Sequence, residues 1–466
     1  MYSLLLSYKN LIFQITLSLS LTFLLYFISL PSLFIQGLNT YIHPDDVNPS
    51  KTQQSGPKIA IKRPSDQNPN NLNGFQSLSS RTNSEIRQRK KTKEKFEFDE
   101  SKAQIFRLKL GDLQIKSRLF YDYYSTCFNC FVVSCCCFLL HKYLNLNSNS
   151  GDDLDDLGFV KNGSLVPILI GFFSLFRVFV SGFRVSIERS AFKRVERQLG
   201  LVFCVLGFFV ALVICLGIYP GVVDFDFSSI DGFGRFVLAL FSGCIVGFLY
   251  MGAGKNARAF WLGTDQIRCN LSIVSSGWFA QILFYANYLI TGFTSLLWIK
   301  PFGDIFVNKD INRHKGLMDN VGMSEADFVN FRLCCLLLTG LFQVITLRLN
   351  VQTFLNEAVL SWYQKLHSST VPDMEYSRAK VFLHNHYLCL AVLQFFAPSA
   401  LILISLGLSQ VDGSLFDNFQ VMCGILPCSI FAKDASLFVA WWVAFVWFVF
   451  SSAYLAIYRR GILHIS

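Results

Sequence analysis

Three arginines, Arg177, Arg332 and Arg348, lie inside or at the ends of long apolar stretches. With Gln281, Asn287, Gln343 and Gln394 they form a polar set in an otherwise greasy setting, and Gln352 and Asn356 follow Arg348 beyond the apolar stretch. A guanidinium near a bilayer centre costs roughly 2.5–3.5 kcal/mol on insertion scales, so it must face neighbouring helices or snorkel. Two chemistries are open to such a set. The side chains can bond helices to one another, at about 0.6–2 kcal/mol per contact. Alternatively they can line a path for an anion, since the mid-span charge is positive and no span carries a central Asp or Glu. The missing acid also argues against the usual proton- or sodium-coupled transport.

Other constellations fail on spacing. Gly252-Ala253-Gly254-Lys255 lacks the earlier glycine of a phosphate loop, because that position is Leu249, and Asn256 stands where a hydroxyl is required. It reads as a helix exit with an interfacial lysine. Cys127 and Cys130, with Cys135, Cys136 and Cys137, have no second pair of matching spacing and read as small apolar filler. His384 and His386, two residues apart, point to different helix faces and cannot share a metal. No HExxH or Gly-x-Ser-x-Gly sequence is present. No catalytic residue, cofactor or metal is therefore expected, and enzyme activity is not. Asn162 and Asn270 open glycosylation sequons, and Cys423 with Cys428 is the one pair considered for a disulfide.

The elements that must position the polar set are membrane helices. Apolar residues make up 52% of the 466 positions and charged residues only 15%, well short of the quarter typical of soluble domains. A helix needs roughly 20 apolar residues to cross a core about 30 Å thick. Such stretches fall at 10–35, 121–142, 164–186, 199–219, 235–253, 272–298, 331–351, 384–408 and 437–457. The fold class is all-α: a polytopic helix bundle with eight to nine transmembrane helices. The organisation reads as a first apolar helix (1–43), a disordered polybasic linker (44–112) and the multi-pass bundle (113–466). The first stretch is a true anchor, a re-entrant helix marked by Pro31, or a signal-like segment. On those spans Arg177 lies about 10 Å from the cytosolic end of its helix.

Charge gives a sidedness. If the chain alternates sides at each span, 29 Lys or Arg fall on one side and 7 on the other; without the linker the count is 13 to 7. Lys and Arg are retained in the cytosol, so the linker and C-terminus are expected there. Acidic Asp152, Asp153, Asp155, Asp156, Asp224, Asp226 and Asp231 fall opposite. Inside the linker, Arg87, Arg89, Lys90, Lys91, Lys93 and Lys95 form a basic run. It reads as a topology determinant, or as a contact for anionic lipid at ~1 kcal/mol per residue near the surface. Nucleic acid is not an expected partner.

Several motifs together resemble a known family. Ala326-Asp327-Phe328 and Phe331-Arg332-Leu333 open a long helix that ends in Arg348, Gln352, Leu355 and Asn356. Trp298-Ile299-Lys300-Pro301, Leu393-Gln394-Phe395-Phe396-Ala397-Pro398, the Trp441-Trp442 pair and His43-Pro44-Asp45 agree in order. These are similar to the signature of the transmembrane protein 161 family. Gln343 stands where that family tends to carry a further arginine. The resemblance implies a multi-pass membrane protein of unestablished molecular activity.

The long helix is the part on which most rests. Ser324 and Asp327 are spaced to cap its start, and it should continue beyond the membrane through Gln352, Asn356 and Trp362 as an arm ending before Pro372. Trp441 and Trp442 lie too deep for an interfacial belt and should pack against neighbouring helices. The expected function is a non-enzymatic membrane protein that modulates ion handling or serves as a subunit of a membrane complex. The alternative is an anion or small-solute carrier using the buried arginines. The expected partners are the bilayer, anionic lipids through the linker, and another membrane protein. The expected location is an endomembrane or the plasma membrane.

Overall fold

The computed structural model describes residues 8–43, 59–61, 105–147, 163–188, 194–218, 222–225, 227, 230–264, 277–307, 323–366, 374–411 and 429–462. The basic run from Arg87 to Lys95, both sequons, and Cys423 with Cys428 lie outside these residues.

The main helices are α1 (Lys9–Ile28), α2 (Tyr121–Asn147), α3 (Leu165–Ile187), α4 (Arg194–Cys215), α5 (Gly232–Thr264), α6 (Trp278–Leu296), α7 (Glu325–Leu366), α8 (Met374–His386), α9 (Leu388–Ser409) and α10 (Ser429–Arg459). Among the described residues, eight of them are long and apolar enough to cross a membrane; α6 and α8 are not in that group. The span expected at 272–298 is the 19-residue α6, diluted by Gln281, Asn287 and a run of hydroxyl residues. It nevertheless packs against α5, α7 and α10, with Ile282, Tyr285 and Leu289 exposed on its outer face. The protein is an all-α polytopic bundle with a small sheet.

The helices alternate in direction, except that α8 leads into α9 across Tyr387 and runs the same way, which sorts the connections to two ends. Gly163, ahead of α3, approaches the start of α1 so closely that a Cβ there would fall 2.8 Å from the Asn10 carbonyl carbon. Val223, between α4 and α5, bridges Ile299, just after α6. These contacts mark an acidic end, which also holds Asp224 and Asp231. The other, basic end gathers the C-termini of α1, α3, α5, α7 and α10. The described residues that flank the segments assigned to one side by the charge count thus lie at one end of the bundle.

At its axis is α9, every residue of whose spanning window is buried. Its sequence is apolar all round, and such a helix is stable only when surrounded. It touches α2, α3, α5, α7, α8 and α10. Pro398 lacks the N–H that would bond the Gln394 carbonyl one turn back. Gly252 of α5 lies against that oxygen, where a Cβ would come within 3.0 Å. By contrast α1 is 11% buried and α4 22%, so both present most of their apolar surface outward. The hairpin of α4 on α5 closes over Gly243 and Gly247: a Cβ at Gly243 would stand 2.8 Å from the Cys204 carbonyl oxygen.

The linker expectation needs correction. Two of its stretches, β2 (Ile59–Ile61) and β3 (Ile105–Lys109), form an antiparallel sheet with β1 (Asn39–Ile42), in the order β1-β3-β2. Thr40 pairs with Leu108, and Ala60 with Phe106. A short helix, Asp112–Lys116, follows. A three-residue apolar run and a five-residue stretch that carries Arg107 and Lys109 are too short to signal strands alone; they form here because β1 is already fixed against the helices.

Helix α7 has 42 residues, so at the usual rise it is about 63 Å long, twice the hydrocarbon thickness. Its start is capped as its sequence suggests: Ser324 Oγ accepts from the Asp327 N–H (3.2 Å) and donates to Asp327 Oδ2 (2.7 Å). Its last turns project at the basic end, where they carry the sheet.

Candidate functional site

Arg348, Gln352 and Asn356 recur every four residues and so share one stripe of α7. The stripe grips the chain between α1 and β1. Arg348 Nη2 donates to the Gln36 carbonyl at 3.0 Å. Gln352 Oε1 accepts from the Asn39 N–H (2.9 Å), and its Nε2 donates to the Asn39 carbonyl (3.2 Å). That same Nε2 donates to Asn356 Oδ1 (2.9 Å), which also accepts from the Tyr41 hydroxyl (3.1 Å). From α8, Asn385 Nδ2 donates to the Tyr41 carbonyl at 2.6 Å, and its Oδ1 accepts from the Thr40 hydroxyl. A strand edge carries unpaired backbone groups. Here side-chain amides satisfy that edge while β3 satisfies the other.

Beneath the strand, Tyr41, Ile105, Ala358, Val359, Trp362 and Val381 form a separate small core. One residue past Asn356, Glu357 is 3% exposed and binds Arg258 of α5 at 2.9 Å, with Lys380 of α8 at 4.0 Å. Arg258 also donates to the Tyr458 hydroxyl at 3.1 Å. His384 stacks on Phe354, ring centres 4.6 Å apart, with Nδ1 2.8 Å from the Lys380 carbonyl. Burial pushes its imidazole below the ordinary range, and the Glu357 carboxylate opposes that shift. Lys255 is not simply interfacial: its ammonium lies 5.5 Å from the Phe354 ring centre. Glu357, Arg258, Lys380 and Asn385 were not singled out in the sequence. No spacing rule links positions 258, 357 and 380; Asn385 sits between two histidines that drew attention for a metal.

Arg332 is at the opposite end of α7, about 24 Å from Arg348 along the axis. It is 7% exposed, rather than standing at an open interface. Its Nη1 bonds Asp224 Oδ2 at 2.7 Å, and its guanidinium lies 4.4 Å from the Trp298 ring centre and 4.8 Å from that of Phe328. Trp298 in turn stacks flat on Phe225 at 4.5 Å. Beside this ion pair, a cleft of about 840 Å³ opens between α4 and α10.

The remaining two candidates separate from these. Arg177 is exposed, one residue past the midpoint of α3, with Phe172, Phe173 and Phe176 exposed around it. Its guanidinium lies 5.8 Å from the Phe173 ring centre. Of the two expectations for it, facing neighbouring helices or snorkelling, its exposure fits only the second. The packing stripe of α3 is Gly171, Ser174, Val178, Ser181 and Val185, and Arg177 falls about a quarter turn away. Gln394 is buried in α9 and Gln343 in α7, and neither amide has a hydrogen-bond partner among the described residues. The arginines therefore do not converge: one is exposed at mid-helix, one holds the chain just ahead of β1, one is paired with an acid. Trp441 and Trp442 are both buried and donate to the Ser295 and Ser242 carbonyls, each at 3.1 Å.

Residues 231–416, from the start of α5 to just past α9, match the family model described as predicted transmembrane protein 161AB. Over these residues the chain is similar to the transmembrane protein 161 family. The matched region contains Trp298, Arg332, the stripe from Arg348 to Asn356, Asn385 and the α9 plug. The strand that the stripe grips, and Asp224, lie outside it. No solved structure matches the chain.

Proposed function

We propose that this integral membrane protein acts without catalysis, as a modulator of ion handling or a subunit of a membrane complex, with its basic end in the cytosol. The observation that carries the reading is α9. A carrier keeps a polar route along its axis, whereas here a helix buried on all sides occupies that axis. A cavity inside the bundle, among Asn256, Asn287, Thr291 and Ser451, measures about 10 Å³, room for one water. The outward apolar faces of α1 and α4 suit contact with lipid or with another membrane protein.

The test combines two measurements on one preparation. Affinity-purified protein from mild detergent should retain a membrane-protein partner in stoichiometric yield. The same protein, freed of that partner and placed in liposomes, should pass no more chloride or small organic anion than empty liposomes. Intrinsic flux from the isolated protein would end this reading in favour of the anion carrier. Sidedness has its own check: cysteines placed within 50–110 should resist an impermeant label in sealed cells and react after permeabilisation.

A further inference from the structure

We infer that Cys204 of α4 and Cys244 of α5 form an intramembrane dithiol, which a lipid-soluble hydroperoxide oxidises to a disulfide that staples the two helices. Their thiols are hydrogen-bonded to each other across the helix seam. The backbones approach closely there because α5 carries glycine at 243 and 247. A Cβ at Gly247 would stand 2.9 Å from the Cys204 Cβ and 3.6 Å from its Cα. Gly247 lies about one turn from Cys244 on the same face. The Cys204 side chain thus occupies the space that Gly247 leaves open, beside the Cys244 thiol. A disulfide needs Cα atoms roughly 4.4–6.8 Å apart, and a hairpin closed on glycine is the geometry that allows it.

The depth of the pair decides the oxidant. Cys204 is at the middle of α4, and Cys244 is the middle residue of the apolar stretch 235–253. Both are free and half-buried, while Leu201 and Leu240, each about one turn before a cysteine, are exposed. The sulfurs therefore edge the hydrocarbon, where hydrated oxidants are scarce and a hydroperoxide on an apolar chain dissolves. One thiol attacks the outer peroxide oxygen: an S–O bond forms, the O–O bond breaks, and the alcohol leaves with the thiol proton. The second thiol attacks the resulting sulfenic acid: the S–S bond forms, the S–O bond breaks, and water leaves with the second proton. The two sulfurs give up two electrons and the peroxide takes them. The consequence is mechanical. Among the described residues α4 packs almost solely on α5, so the bond fixes an outward helix that has little other hold on the bundle.

The experiment uses the full chain in liposomes, reduced, treated with cumene hydroperoxide, then denatured, alkylated and digested. Mass spectrometry should find Cys204 and Cys244 joined in one linked peptide, with the matching loss of two alkylatable thiols. Absence of that peptide at a dose that oxidises the exposed Cys334 overturns the assignment. Cys204→Ser should remove the linkage and leave Cys244 open to alkylation, and Cys244→Ser should do the reverse. Loss of Cys244 alkylation in Cys204→Ser at the wild-type rate would mean a different partner, and would also overturn it. Hydrogen peroxide at equal concentration should link the pair more slowly; equal rates would contradict an oxidant carried in the lipid. The wild-type result stands by itself, so a folding failure in either variant leaves the test decisive.

Discussion

Gln352 closes both backbone hydrogen bonds of Asn39, a residue 313 positions away, through a single side-chain amide. That contact ties the segment after the first membrane helix to the arm of the seventh. It explains why a stripe of Arg348, Gln352 and Asn356 exists: it provides the missing neighbour for a strand edge.

Replacing Gln352 by Leu should therefore release the strand. Two backbone groups would lose their partners in a half-buried position, at about 1–3 kcal/mol. Hydrogen exchange should quicken across residues 37–42 and 105–110, while α9 stays protected. Unchanged exchange over the strand would show that the sheet does not depend on this amide.

The Arg332–Asp224 pair should behave asymmetrically. Asp224 is 44% exposed at its side chain and Arg332 only 9%, so solvent weakens the charge term from one side. Asp224→Asn leaves a cation partly desolvated and should cost about 1–2 kcal/mol, less than the 3–5 of a fully buried pair. Arg332→Met on that background should recover part of the loss, since Trp298 and Phe328 can pack a thioether. Thermal unfolding of the single and double variants measures the coupling; strict additivity would mean that the pair contributes nothing.

Acidification should loosen the basic-end arm. His384 resists protonation in the folded state, while the unfolded chain takes up the proton near its ordinary value of about 6.5. Below that value the unfolded state binds more protons, so the stabilisation present at higher pH is lost as pH falls. The melting temperature should drop between pH 7.5 and 5.5, and His384→Gln should flatten that slope. An identical slope in the variant would exclude His384 as the source.

Arg177→Gln should not destabilise the fold, since it removes an exposed guanidinium whose place near the middle of a membrane helix costs roughly 2.5–3.5 kcal/mol on insertion scales. It should also leave anion permeability unchanged. A large loss of stability would mean that the exposed guanidinium has a partner in the assembled membrane.

Sequence alone gave up the helices readily, because hydropathy over twenty residues is a strong signal. The Ser324 cap, the projecting arm and the buried tryptophan pair followed from spacing and depth. The charge of Arg177 left two orientations open, and the small residues Gly171, Ser174 and Ser181 of its helix, which form the packing face, decide between them. The sheet was missed because Ile59–Ile61 and Ile105–Lys109 have meaning only beside β1. The ion pairs Arg332–Asp224 and Arg258–Glu357 join residues 108 and 99 positions apart, and local pattern cannot report such distances.

The most direct measurement of the account is thiol accessibility along α9. Ala391→Cys, Ala397→Cys and Ala400→Cys, each in a background without other reactive thiols, should resist a small charged methanethiosulfonate from both sides of the membrane. Rapid modification of any of them in folded protein would reveal a water-filled route through the axis and contradict the plugged bundle.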